Sequence, residues 1–206
     1  MTSFASLSSR LFALAFVAVA MAGCYLPIRF DSEVELQRTG YYTAIFDGYL
    51  ADVGIYDELR RSKLSPADEK QKVAQVLTDL KRDSDVSVAD YMQNGIFHVT
   101  WKHQGDVIQE KMYTFIRRNE AFLTFKYDEE KGEIVISGRK LKTAEVERLE
   151  KMGLGAVEGQ LRVLTSARVS QQNAQQVLKR KGGGFIYVWN IKSFKDPAPK
   201  LVVPVR

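Results

Sequence analysis

One residue stands out as a candidate for covalent chemistry. Cys24 is the only cysteine in the 206-residue chain. It follows Ala22-Gly23 directly, at the end of an apolar run that begins at Leu11. A lone thiol excludes an intrachain disulfide framework, a CxxC redox site and a cysteine zinc site within one chain. It leaves modification of the thiol itself. The two histidines, His98 and His103, have neither helical i, i+4 spacing nor a second-ligand cluster, so zinc binding and a hydrolytic triad are not indicated. Asp47, Asp52 and Asp57 recur every five residues, which does not supply the ligand positions of a calcium loop, and turn or capping roles suit them better. Lys179-Arg180-Lys181-Gly182-Gly183-Gly184 superficially resembles a phosphate cradle. Its glycines precede a predicted strand, where a P-loop needs a helix, so it reads as a hairpin loop. No cofactor and no metal ligand set is indicated, and the chain is not read as an enzyme.

The elements around Cys24 give its chemistry a context. Met1 to Arg10 is short and polar, with Arg10 its one charged side chain; Leu11 to Ala20 is uninterruptedly apolar; Met21-Ala22-Gly23 brings small residues up to the cysteine. That is the layout of a secretory signal peptide. The run is shorter than the roughly 20 residues a spanning helix needs, and Pro27 and Arg29 stop it from extending.

Met21-Ala22-Gly23-Cys24 resembles the lipobox of bacterial lipoproteins, with Met in place of the usual Leu. The resemblance implies cleavage before Cys24, diacylglycerol on its thiol and a further acyl group, such as palmitate, on the new amino terminus. Two or three acyl chains would hold the protein on a membrane, where one alone anchors marginally. Tyr25, where the family's retention signal would be Asp, implies sorting to the outer membrane, with the domain facing the periplasm. The expected organisation is a signal peptide over 1–23, a lipidated tether over 24–30 and a single domain over 31–206.

Cleavage leaves 183 residues and lowers the formal net charge from +5 to about +4, because Arg10 departs. That length supports a full hydrophobic core. A mildly basic, evenly charged domain in the cell envelope is not a nucleic-acid binder; anionic headgroups would attract it weakly.

Alternation places a strand over 28–37 and a second over 41–50, forming a hairpin across Thr39-Gly40. Helical spacing of Val73, Val76, Leu77 and Leu80, with Ser65 as cap and Pro66 in the first position, predicts a helix over 64–81. A shorter helical piece is expected around 56–61. Four strands then form a meander: 97–102, 107–118, 121–127 and 133–137, with turns at His103–Asp106, Asn119-Glu120 and 128–132. A second helix is expected over Thr143–Met152, capped by Thr143 and stopped by Gly153. Strands follow over 159–170 and 185–192, with a connection over 171–181 that holds a helical turn. Lys200 to Val205 reads as an edge strand. The predicted fold is α+β: one curved antiparallel sheet with two helices packed on one face or end.

The C-terminal third carries a second resemblance. Ser166-Ala167-Arg168-Val169, then Asn173-Ala174, then Phe185-Ile186-Tyr187-Val188-Trp189-Asn190-Ile191 is similar to the end of LppM-type lipoprotein domains, with Ala174 in place of Gly and a longer following loop. It implies a sheet-plus-helix domain for which lipid binding is suspected. Aromatics crowd the predicted strands, and an incompletely covered aromatic face would form an apolar cleft. The residues that would line it are Phe97, Val99, Trp101, Tyr187 and Trp189. The ligand expected there is an apolar molecule or envelope lipid. The alternative is an assembly role, in which the 200–205 edge pairs with another envelope protein.

Overall fold

The computed structural model describes residues 25–115 and 122–205. Cys24 and the Asn119-Glu120 turn lie outside the described residues. The elements in chain order are β1 (Tyr25–Leu36), β2 (Tyr41–Asp52), α1 (Val53–Arg60), α2 (Pro66–Leu80), β3 (Val86–Tyr91), β4 (Ile96–Asp106), α3 (Val107–Glu110), β5 (Met112–Phe115), β6 (Leu123–Asp128), β7 (Glu133–Gly138), α4 (Thr143–Met152), β8 (Ala156–Thr165), β9 (Gln171–Gln172), β10 (Gln176–Lys179), β11 (Phe185–Ser193) and β12 (Lys200–Pro204).

The strands form two sheets. One has seven strands in the order β10-β11-β8-β1-β2-β4-β3, the other five in the order β5-β6-β7-β12-β9. Their inner faces share one core. Phe115 of β5 packs 4.4 Å from Trp101 and 4.8 Å from Phe46, and Phe125 of β6 stacks 4.7 Å from Tyr42, ring centre to ring centre. Such aromatic pairs add specific contact geometry to their burial.

The mixed α and β content and the largely antiparallel pairing match the sequence reading. The single curved sheet with two helices does not: there are two facing sheets and, among the described residues, four helices. Two strand misreadings account for this. The expected turn at His103–Asp106 is continuous strand, with His103 opposite Ala44 and Asp106 opposite Tyr41. The expected long strand from Val107 is broken at once. The Asp106 carboxylate accepts from the Ile108 and Gln109 N–H groups at 2.9 and 3.4 Å, starting α3. Lys111, at φ 63°, then turns the chain into β5. This break sends β4 to one sheet and β5–β7 to the other.

Four further differences matter for function. The expected tether over 24–30 is structured from its second residue: β1 begins at Tyr25, paired with Asp52, and Tyr25 and Leu26 are buried. β12 is an interior strand, not an edge. β7 covers one side from Lys200 to Pro204, and β9 covers Leu201 and Val202 on the other. The expected helical turn within 171–181 is two short strands, β9 and β10. β3, in a stretch for which the sequence pattern predicts no element, closes the other edge of the larger sheet beside β4.

The helices follow their local signals closely. Ser65 Oγ accepts from the Asp68 N–H at 3.2 Å, Pro66 opens α2, and Val73, Val76 and Leu80 are buried. Glu145, not Thr143, secures the start of α4, its carboxylate accepting from the Lys142 N–H at 2.7 Å. Gly153 ends α4 in the left-handed region, φ 85°.

Candidate functional site

A cleft opens between the two sheets at the end where β1 begins. A bulge between Pro27 and Arg29 shifts the β1 register. The extra residue reverses the alternation. Tyr25 therefore joins Phe30 in the main core, while Leu26 points into a second cluster with Ala51, Leu149 and Met152 beneath α4. Tyr25, Leu26 and Pro27 all line the cleft. Its walls are Phe30, Phe122, Leu123, Val157, Leu161 and Ile191; Leu141, Phe194, Pro197 and Pro199 complete it.

Two glycines shape these walls. A Cβ on Gly159 would lie 2.1 Å from the Phe30 ring, so the ring depends on the bare backbone beneath it. A Cβ on Gly138 would meet Pro199 at 2.7 Å, so Pro199 closes the wall only because Gly138 has none. Asp196 accepts from the Lys192 and Ser193 N–H groups at 2.7 and 3.0 Å and fixes the loop that carries Phe194. The enclosed space is about 60 Å³. That is roughly four water-sized volumes, which suits a length of alkyl chain and not a whole lipid.

The polar groups sit at the rim. Arg139 lines the mouth and donates to Glu145 Oε1 at 3.2 Å. Lys140 and Lys142, on either side of Leu141, are exposed. This Arg-Lys-Leu-Lys lip went unnoticed in the sequence because its three cations interleave with an apolar residue and lead into a helix.

The residues that sequence reasoning assigned to a cleft lie elsewhere. Phe97, Val99 and Trp101 of β4 and Tyr187 and Trp189 of β11 are between 0% and 7% exposed, in the main core. Three strands, β8, β1 and β2, separate β11 from β4. None of the five lines the cleft. The two tryptophans are anchored by hydrogen bonds: Trp101 Nε1 donates to Asp83 at 3.3 Å and Trp189 Nε1 donates to Asn173 Oδ1 at 2.9 Å. Asn173 Oδ1 also accepts from the Lys200 N–H at 2.7 Å, tying β12 to β11.

A second polar cluster surrounds His103. The expected turn histidine lies on the inner face of β4, its ring stacked 4.0 Å from Tyr113 and 5.8 Å from Trp101. Nδ1 is 2.6 Å from Asp85 Oδ2; Nε2 is buried, 3.5 Å from Glu110 Oε1. Tyr42 donates to Glu110 Oε2 at 2.8 Å. Burial, with Glu110 alongside, pushes the Tyr42 hydroxyl far above the ordinary tyrosine range; burial, with Asp83, Asp85 and Glu110 nearby, does the same to Tyr113. Among the described residues no hydroxyl or thiol nucleophile is bonded to His103, so the carboxylate–imidazole pair forms no triad; it ties β4 to the turn before β3, and the ring's stacking on Tyr113 of β5 is the contact that crosses to the other sheet.

The remaining candidates take structural places. Asp52 caps α1, accepting from the Ile55 N–H at 2.9 Å; burial raises its pKa, partly countered by the Ile55 and Gly54 N–H groups. Asp57 pairs with Arg60 and Arg61, and Asp47 with His98. The described residues contain no group of three His, Cys, Asp or Glu side chains placed to hold a metal ion. Gly182, Gly183 and Gly184, all at positive φ, form the β10–β11 loop, beside which Arg180 pairs with Glu35 at 2.6 Å. No helix among the described residues is long and apolar enough to cross a membrane.

No protein-family model and no curated protein matches this sequence. One solved structure it is similar to is the NMR structure of the folded domain of Mycobacterium tuberculosis LppM. The alignment spans 87% of this chain and 91% of that one, at 10% identity and a TM-score of 0.41. Those values fall below what establishes a common fold.

Proposed function

We propose that the chain is a non-enzymatic lipoprotein of the bacterial envelope. Acyl chains on Cys24 hold it on the outer membrane, and its periplasmic domain takes an acyl chain of an envelope lipid into the cleft between its sheets. The observation that carries this reading is the position of the cleft. Its lining includes Tyr25, Leu26 and Pro27, the residues that directly follow the lipobox cysteine. An apolar slot that begins one residue from a membrane anchor is reached by lipid without an aqueous transit.

Native mass spectrometry of protein purified from a bacterial envelope tests this. The wild-type chain is expected to carry an additional mass matching a lipid. Leu141→Glu, which places a carboxylate at the half-buried mouth, is expected to lose it while keeping the fold. A wild-type domain that is compact and ligand-free would refute the cleft reading.

The alternative, an assembly partner that pairs through a sheet edge, draws on a different strand from the one the sequence suggested. β10 ends the larger sheet, and all four of its residues are exposed, including Val177 and Leu178. An unpaired apolar edge is a template for another strand. Val177→Lys with Leu178→Lys should then abolish crosslinking to a specific partner in intact cells without changing the domain's stability.

A further inference from the structure

We infer that the end of the sandwich bearing the cleft mouth and the Arg139–Lys142 lip is a bilayer-docking face, seated in the anionic headgroup layer of the membrane that holds Cys24. The inference rests on acylation of Cys24, as proposed above. It adds the orientation of the domain and the surface that meets the lipid.

The first ground is the length of chain between anchor and fold. Tyr25 is 6% exposed and paired with Asp52, so only Cys24 itself separates the acyl groups from packed structure. One residue reaches about 3.6 Å at most. The β1 start therefore cannot leave the headgroup region while the anchor stays in the bilayer.

The second ground is what surrounds that start. Leu141 and Phe194, both partly buried, sit at the same end as Leu26, and the cleft opens among them. Arg139, Lys140 and Lys142 flank the opening. An apolar mouth inside a cationic lip matches a surface of acyl chains beneath anionic heads. Opposite this end, Leu36 pairs with Thr165 and Thr165 with Phe185, which places the β10–β11 loop at the far end of β1. At about 3.3 Å per residue, the 12 residues of β1 hold that loop a full strand length away from the anchor.

The test uses the acylated full-length protein in vesicles of three parts zwitterionic to one part anionic phospholipid. With Cys24 acylated, Lys142→Cys and Lys181→Cys each offer one free thiol for a nitroxide label. Collision with membrane-soluble oxygen and with a water-soluble nickel chelate then reports depth. The label at 142 is expected to shift toward oxygen and away from nickel relative to detergent-solubilised protein, and the label at 181 is expected not to shift. Equal behaviour at the two positions, or the reverse, overturns the inference.

A second variant inserts ten Gly/Ser residues between Cys24 and Tyr25, so that the face must hold itself. Position 142 should then keep its oxygen shift on anionic vesicles and lose it on purely zwitterionic ones. Loss on both shows that the short link alone held the face down, and overturns docking. The ligand reading fails separately: an empty cleft with a docked lip refutes lipid uptake and supports this face. A free thiol at Cys24 in the wild-type chain overturns both.

Discussion

Replacing Gly159 with Ala tests whether the Phe30 ring is held as described. Gly159 lies in β8, paired with Phe30 on one side and Ile191 on the other, with φ outside the left-handed region. Alanine is therefore conformationally acceptable, and the cost is steric. The new methyl would sit 2.1 Å from the Phe30 ring, where 3.4 Å begins ordinary contact. Phe46 stacks 5.8 Å from the ring and Phe122 meets it edge-on at 4.8 Å, so the open direction is into the cleft. Overpacking of this kind costs about 1–3 kcal/mol, and the stiffer unfolded chain offsets about 0.4–1 kcal/mol. Three ring carbons of Phe30 lie within 2.8 Å of the new methyl, which puts the cost in the upper half of that range, so a net loss of about 1–2.6 kcal/mol, or roughly 2–10 °C in Tm, should result. Urea unfolding followed by tryptophan fluorescence measures it, since Trp101 and Trp189 are both 2% exposed. The displaced ring should also reduce the amount of co-purified lipid. A stability change within about 0.5 kcal/mol of zero would mean that the ring relaxes freely. The account of the cleft wall would then be wrong.

Two pH effects follow from the buried groups. Burial raises the Asp52 pKa in the folded state, so the folded chain holds a proton that the unfolded chain has lost. Stability should then fall as pH rises from the ordinary aspartate value to the raised one. Asp52→Asn, which keeps a capping acceptor, should flatten that slope, whereas Asp52→Ala should cost about 1 kcal/mol at neutral pH through loss of the cap; an unchanged slope in the Asn variant would count against the assignment. At the alkaline end, Tyr42 and Tyr113 stay protonated in the fold above the ordinary tyrosine value of 10.0, so stability should decline as pH rises past it. In a titration followed at the phenolate absorbance, both should ionise only as tryptophan fluorescence reports unfolding. Ionisation of all nine tyrosines near the ordinary value in an intact fold would contradict their burial.

Much of the local structure was legible because local chemistry decides it. Ser65-Pro66 and Gly153 mark helix boundaries through caps and φ, which are properties of a few neighbouring residues. The alternation in β1, β2 and β11 likewise gives the correct strands. Partition between two sheets was not legible. Asp106 and Lys111 break an otherwise continuous run of strand-forming residues, and nothing in their types distinguishes a break from a pause. The cleft was missed for a related reason. Aromatic excess pointed to Phe97, Trp101 and Trp189, but core and cleft draw on the same residues. The distinction comes from long-range partners, here residues near 25, 139 and 194 meeting at one end. His103 gave no signal because its neighbours are scattered along the chain: Asp85 lies in the turn before β3, Glu110 in α3 and Tyr113 in β5.

The pairing of β1 with β8 also dictates the order in which the molecule can assemble. β1 is the first described strand, yet one of its two neighbours is the parallel strand β8, in which Arg162 bonds back to Glu33 across 129 residues. The hairpin with β2 can close as soon as both are made, but the other edge of β1 stays bare until the chain beyond Ala156 arrives. Contacts so distant in sequence cost loop-closure entropy before they return any stability, which slows folding. A nascent chain therefore carries an unpaired, apolar strand edge through most of its synthesis. Until the last quarter of the chain joins it, this first strand is a segment in need of protection from aggregation.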